Sequence, residues 1–96
     1  MTEVTVRRRG ERCALTLEGH ATGQPAVCAA LSALVCALAG YVGPRAVRVY
    51  QWELAPGRAR LEFAGGAQCA AAWELVCEGL EQISRQWPET VLFREG

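Results

Sequence analysis

Lysine is missing altogether: the ten basic residues of this 96-residue chain are all arginine, and ten acidic residues balance them to zero net charge. Arginine-only usage is read as codon bias in a GC-rich genome rather than as chemistry. A neutral chain has no general attraction for nucleic acid or for an anionic membrane, so neither is expected as a direct partner. No C-x-x-C occurs among the five cysteines, which disfavours structural zinc and a thioredoxin-type pair, and no metal is expected. Cys28 and Cys36 lie eight residues apart, as do Cys69 and Cys77. On straight helices that is about 12 Å along the axis, too far for a disulfide. No apolar leader follows Met1, and an odd cysteine count without one points to free thiols in a reducing cytoplasm. No apolar run approaches the ~20 residues of a bilayer span. Repeats, linkers and low-complexity segments are also lacking, and the length fits one domain, residues 1–96.

What is present alternates and then turns helical. Glu3 to Arg8 and Arg12 to Glu18 each place apolar residues at every second position and are separated by Arg9-Gly10, which predicts a hairpin. The Arg7-Arg8-Arg9 cluster beside Glu3 and Glu11 reads as a solvated strand end. Pro25 to about Ala39 predicts a helix with a core stripe of Val27, Leu31, Leu34 and Leu38. Cys28, Ser32 and Val35 fall on the adjacent stripe, and Gly40 and Gly43-Pro44 end the helix. Arg45 to Leu54 predicts a third strand, with Val47 and Val49 on one side and Arg48 and Tyr50 on the other. Ala55-Pro56-Gly57 is a turn into a fourth strand, Arg58 to Ala64, closed by Gly65-Gly66. Ala67 to Gln86 predicts a second helix with Trp73, Val76, Leu80, Ile83 and Trp87 as its stripe. Pro88 stops it, and Thr90 to Arg94 forms a short last strand. The order β-β-α-β-β-α-β predicts an α+β domain with an antiparallel or mixed sheet and both helices on one face.

One stretch carries chemistry. Gly19-His20-Ala21 holds the only histidine, and Cys28 follows in the first turn of the helix that Pro25 opens. A thiol becomes a useful nucleophile as thiolate, and both a nearby imidazolium and a helix N-terminus favour that form. If the loop folds back, His20 can reach the sulfur and serve as base and then acid. Ser32, one helical turn on, is a supporting residue or a hydroxyl bonded back to the Cys28 carbonyl. Gly19, Ala21 and Gly23 on the same loop are candidate substrate-contacting residues.

Gly19-His20-Ala21, followed by Val27-Cys28-Ala29-Ala30-Leu31-Ser32-Ala33-Leu34, resembles the signature of the bacterial ribosomal-processing cysteine protease (Prp) family. Leu80-Glu81-Gln82-Ile83, Trp87-Pro88, Val91 and Leu92 extend the likeness over the whole chain. The resemblance implies a cytoplasmic, homodimeric endopeptidase without a cofactor. Its substrate would be the N-terminal segment of a large-subunit ribosomal protein, whose removable extension it cuts off. It also implies Cys28 as nucleophile and His20 as general base. Two departures stand against it. Only seven residues separate His20 from Cys28, fewer than the family generally has, and Pro25 stands where the family tends to carry an Asp. They leave open a second reading, a ribosome-associated binding protein on the same fold that does not cut. A thiol redox sensor lacks a resolving cysteine at suitable spacing.

Overall fold

The structure is a computed structural model that describes residues 1–21 and 23–96; Thr22 lies outside the described residues. Its elements follow the order β1 (Thr2–Arg9), β2 (Arg12–Glu18), α1 (Pro25–Val42), β3 (Arg48–Ala55), β4 (Arg58–Ala64), α2 (Ala67–Gln86) and β5 (Val91–Glu95). The five strands form one sheet in the spatial order β3-β4-β2-β1-β5. Every neighbouring pair is antiparallel except β1 and β5, which run parallel, so the sheet is mixed.

Period-two alternation sorts the strand residues cleanly. Val4 and Val6 of β1, Cys13 and Leu15 of β2, and Leu61 and Phe63 of β4 all point to one side and are buried. Both helices lie on that side, and their buried residues join the strand residues in a single core. The opposite face stays open to solvent and carries Arg7, Arg12, Thr16, Arg60 and Glu62. Trp73 of α2 reaches under the sheet, and its Nε1–H donates to the Ala14 carbonyl at 3.3 Å.

Five expectations need correcting. Helix α1 buries Val35, expected on the stripe beside the core stripe, while Leu34 is only half-buried. The run is so uniformly apolar that 3.6-residue periodicity cannot separate the two positions. The helix also runs through Gly40 and ends at Gly43. Its 18 residues carry no charge, so by length and composition α1 does reach the range of a membrane span, contrary to the reading of run lengths. Here its buried stripe packs in the core. Strand β3 begins at Arg48, and all of it is exposed; Val47, expected within the strand, precedes it and is open to solvent. Trp87 closes α2 as its C-cap and is exposed, whereas Cys69, which the stripe omitted, is buried.

Candidate active site

The loop between β2 and α1 is drawn into shape by its backbone. Gly19 adopts φ 93°, and a side chain there would overlap the Met1 carbonyl, so glycine is required on both counts. Its N–H donates to the Gly57 carbonyl at 2.9 Å, stitching the loop to the turn between β3 and β4. The Gln24 N–H donates to the Ala21 carbonyl at 2.9 Å, and Gly23 takes φ 78° within that bend. Pro25 then starts α1 at its first position, where its fixed φ suits the helix.

Cys28 comes out half-buried in the first turn of α1. Its sulfur is gripped on two sides by one residue: the Ala21 N–H donates to Sγ at 3.2 Å, and the thiol donates to the Ala21 carbonyl at 3.7 Å. Ala21 itself is buried, which fixes that residue against the core. A backbone N–H aimed at a sulfur stabilises negative charge on it, as does the partial positive charge of the helix start.

His20 is exposed and lies against the β3–β4 turn. A Cβ built on Gly57 would fall 2.7 Å from the His20 Cε1 and closer still to Nε2, so the imidazole occupies the space that glycine leaves. Among the described residues the sulfur has hydrogen bonds to Ala21 and none to the ring. The fold therefore brings His20, Ala21 and Cys28 to one end of α1, with the Ala21 peptide seated at the sulfur and the ring parked on Gly57. Gly19 and Ala21 shape the loop through their backbone, and Gly23 stands exposed on it.

Ser32 lies one turn beyond Cys28 and is exposed. No side-chain hydrogen bond is made by it among the described residues, so the back-bond to the Cys28 carbonyl is not formed. It opens instead into a groove of about 300 Å³ bounded by Leu17, Val35, Leu54, Pro56 and Arg58. The rim is charged. Arg60 donates to Glu18 at 2.7 Å and, with Arg58 at 3.8 Å, holds the Glu18 carboxyl below the usual carboxylate range. The backbone N–H groups of Val27 and Cys28 both donate to the Gln24 carbonyl, at 3.1 and 3.2 Å. They are therefore not free to donate to an oxyanion.

Sequence reasoning missed Gly57 and the groove. The Ala55-Pro56-Gly57 turn was legible as a turn, but nothing in the sequence ties it to a histidine so far upstream.

No protein-family model matches the sequence, and neither does any curated protein. Solved structures do. The ribosomal processing protease Prp of S. aureus, in complex with a covalently linked product peptide, superposes with a TM-score of 0.83 over 100% of both chains at 16% identity. The same protease with a substrate peptide gives 0.77 over both full chains at 16% identity. SMU.848 from Streptococcus mutans gives 0.77 at 23% identity, covering 99% of this chain and 93% of its own.

This chain has the Prp fold. The superposition covers the whole of both chains, so the likeness runs from β1 to β5 of this one. Identities this low establish the architecture alone, and the roles of individual residues rest on the site geometry described above.

Proposed function

We propose that the protein is a cysteine endopeptidase that removes the N-terminal extension of a large-subunit ribosomal protein in the cytoplasm. The observation that carries this reading is the placement of Cys28: a half-buried thiol at the head of α1, its sulfur held by the Ala21 N–H, one residue along the loop from the sole imidazole. The likeness to a ribosomal processing protease structure that holds a covalently linked product peptide supports it.

In this mechanism the Cys28 sulfur attacks the scissile carbonyl carbon and the carbonyl π pair moves to oxygen. His20 takes the thiol proton and delivers it to the departing amine as the C–N bond breaks, leaving a thioester on Cys28. Water, deprotonated by His20, then adds to the thioester, and the thiolate leaves and recovers its proton. His20 first has to swing from Gly57 to the sulfur, and entry of a peptide into the neighbouring groove supplies the occasion. The groove wall of Leu17, Val35, Leu54 and Pro56 suits an apolar side chain of that peptide. Ser32 borders the path between sulfur and groove and has a supporting part.

A second reading has one observation in its favour. With the ring on Gly57 and the sulfur bonded to Ala21, the protein holds a peptide without cutting it. A peptide copying the N-terminal extension and first mature residues of the cognate ribosomal protein separates the two. The peptidase cleaves it, and Cys28→Ala and His20→Ala each lower the rate at least ~100-fold while still folded. Tight binding with no cleavage by the parent protein establishes the binding protein instead.

A further inference from the structure

Strand β3 is an edge of the sheet, and it is built unlike the other edge. It has eight residues and contains no proline, whereas β5 has five and ends in Arg94-Glu95. Protected edges are short, charged or interrupted, because an open row of N–H and C=O groups recruits another strand. The row on β3 is not uniform. Its register on β4 shifts between Val49 and Gln51, and such a bulge bends the strand and breaks regular pairing. A straight template remains from Gln51 to Ala55. Along it Trp52 and Leu54 stand opposite Leu61 and Ala59, on the helix side of the sheet. Those partners are buried, but Trp52 and Leu54 are 40% and 46% exposed.

What this template adjoins decides what it takes. Leu17 of β2, Ala59 of β4 and Leu54 of β3 are successive partners across the sheet, and all three line the groove beside Ser32. Helix α1 contributes Ser32, Val35 and Cys36 to the same groove. Ser32 is one helical turn from Cys28, about 6 Å along the axis. The row of Leu17, Ala59 and Leu54 stops where the sheet stops. One more strand on β3 continues it. The residue paired with Leu54 then shares its face and closes the groove from the open edge, and the residue two positions along meets Trp52. The side chain between them points to the other side, beside Glu53, whose carboxylate already has Arg58 at 3.5 Å. The edge therefore asks for apolar side chains two residues apart and makes no demand for charge between them.

We propose that β3 is the docking edge for the peptide substrate: an extended flank of the peptide pairs with Gln51–Ala55 as a sixth strand and seats apolar side chains on Leu54 and Trp52. The occupant rests on the peptidase reading given above, and the continuity of the edge with the groove beside Ser32 selects it. In strand addition the main chain supplies affinity whatever the sequence, while the pockets under alternate side chains supply selectivity. Trp52 is ready for that part, since its ring is already braced against the end of α1 at Gly43. A slip of one residue turns both apolar side chains to the opposite side of the sheet, so pairing also fixes which bond is presented to Cys28. Specificity is thereby set on a strand that takes no part in the chemistry.

The test is an N-methyl scan of a peptide copying the N-terminal extension and first mature residues of the cognate ribosomal protein. Binding is read by fluorescence anisotropy on the Cys28→Ala protein, and kcat and KM on the parent protein, with circular dichroism confirming folded chains. Amides of a paired strand point alternately to their neighbour and to solvent. N-methylation should therefore weaken binding at least ~10-fold at every second residue of one flank and leave the residues between nearly unaffected. Trp52→Ala should raise KM at least ~5-fold with kcat unchanged, whereas Val49→Ala, beyond the register shift, should move neither. A peptide that is bound and cut without alternation in either flank overturns the docking edge and leaves the peptidase standing. So does a KM unmoved by Trp52→Ala, or a Trp52→Ala protein whose altered property is its mass in solution, which gives the edge to a second copy. Alternating binding without cleavage keeps the edge and removes the peptidase, and a peptide neither bound nor cut removes both.

Discussion

Gly57 sets where the only imidazole rests. Its φ of 72° is a conformation that L side chains adopt at a cost of about 1–2 kcal/mol, and the His20 ring fills the place of its missing side chain. Gly57→Ala should therefore lower stability by that amount in a denaturant titration and evict the ring. With the ring released toward the head of α1, Cys28 should alkylate faster relative to Cys36, the exposed thiol two turns further along the same helix. An unchanged ratio would show that Gly57 does not hold the ring away. The residue types of this site were legible in the sequence, because a lone His before a proline-started helix with Cys in its first turn is a local pattern. The rotamer of His20 was not, because it depends on a turn contributed by a distant hairpin.

At the scale of elements, burial decides which side chains matter, and it differs from the pattern reading where composition is uniform. In α1, Leu38 is fully buried and Leu34 half-buried, although both lay on the expected stripe. Leu38→Ala should cost about 2–5 kcal/mol and Leu34→Ala clearly less, measured by urea unfolding. In α2, the Trp73 indole closes the space beneath β2 and donates to the Ala14 carbonyl. Trp73→Phe keeps most of the packing and should cost about 1 kcal/mol more than the lost volume alone, through the lost N–H···O bond. Charged residues flank the apolar stripe of α2, so its face could be read from the sequence; α1 has none, so its face had to come from the sheet. β3 shows the converse limit. Its alternation reads like a half-buried strand, but alternation cannot say whether a helix covers the apolar side, and here the helices stop short of the edge.

For the whole molecule, the element order alone was enough to place two helices on one face, since each hairpin delivers a helix that must return over its own apolar side. The spatial order, with β5 beside β1 in parallel, was not readable, because strand neighbours are fixed by long-range pairing. The assembled core also gives the protein an alkaline limit. Burial pushes the Cys77 thiol up to about 12 from an ordinary 9.0 and raises Cys13 as well. The folded state thus favours the neutral thiols. Their contribution is fully present below about pH 9 and is lost as pH rises from there toward 12, as the unfolded chain ionises first. Thermal unfolding followed between those values should show stability falling with pH, and Cys77→Ala should flatten the fall. At pH 8 neither thiol should alkylate before the chain unfolds.

The peptidase reading requires that imidazole and sulfur act on one another. The most direct measurement is the rate of iodoacetamide alkylation at Cys28 and Cys36, resolved by peptide mass at neutral pH, in the parent protein and in His20→Ala. Cys36 is the more exposed of the two, so simple access favours it. The account predicts that Cys28 nevertheless reacts about tenfold faster and that His20→Ala removes this lead. Preferential labelling of Cys36 in the parent protein, unchanged by His20→Ala, would contradict it.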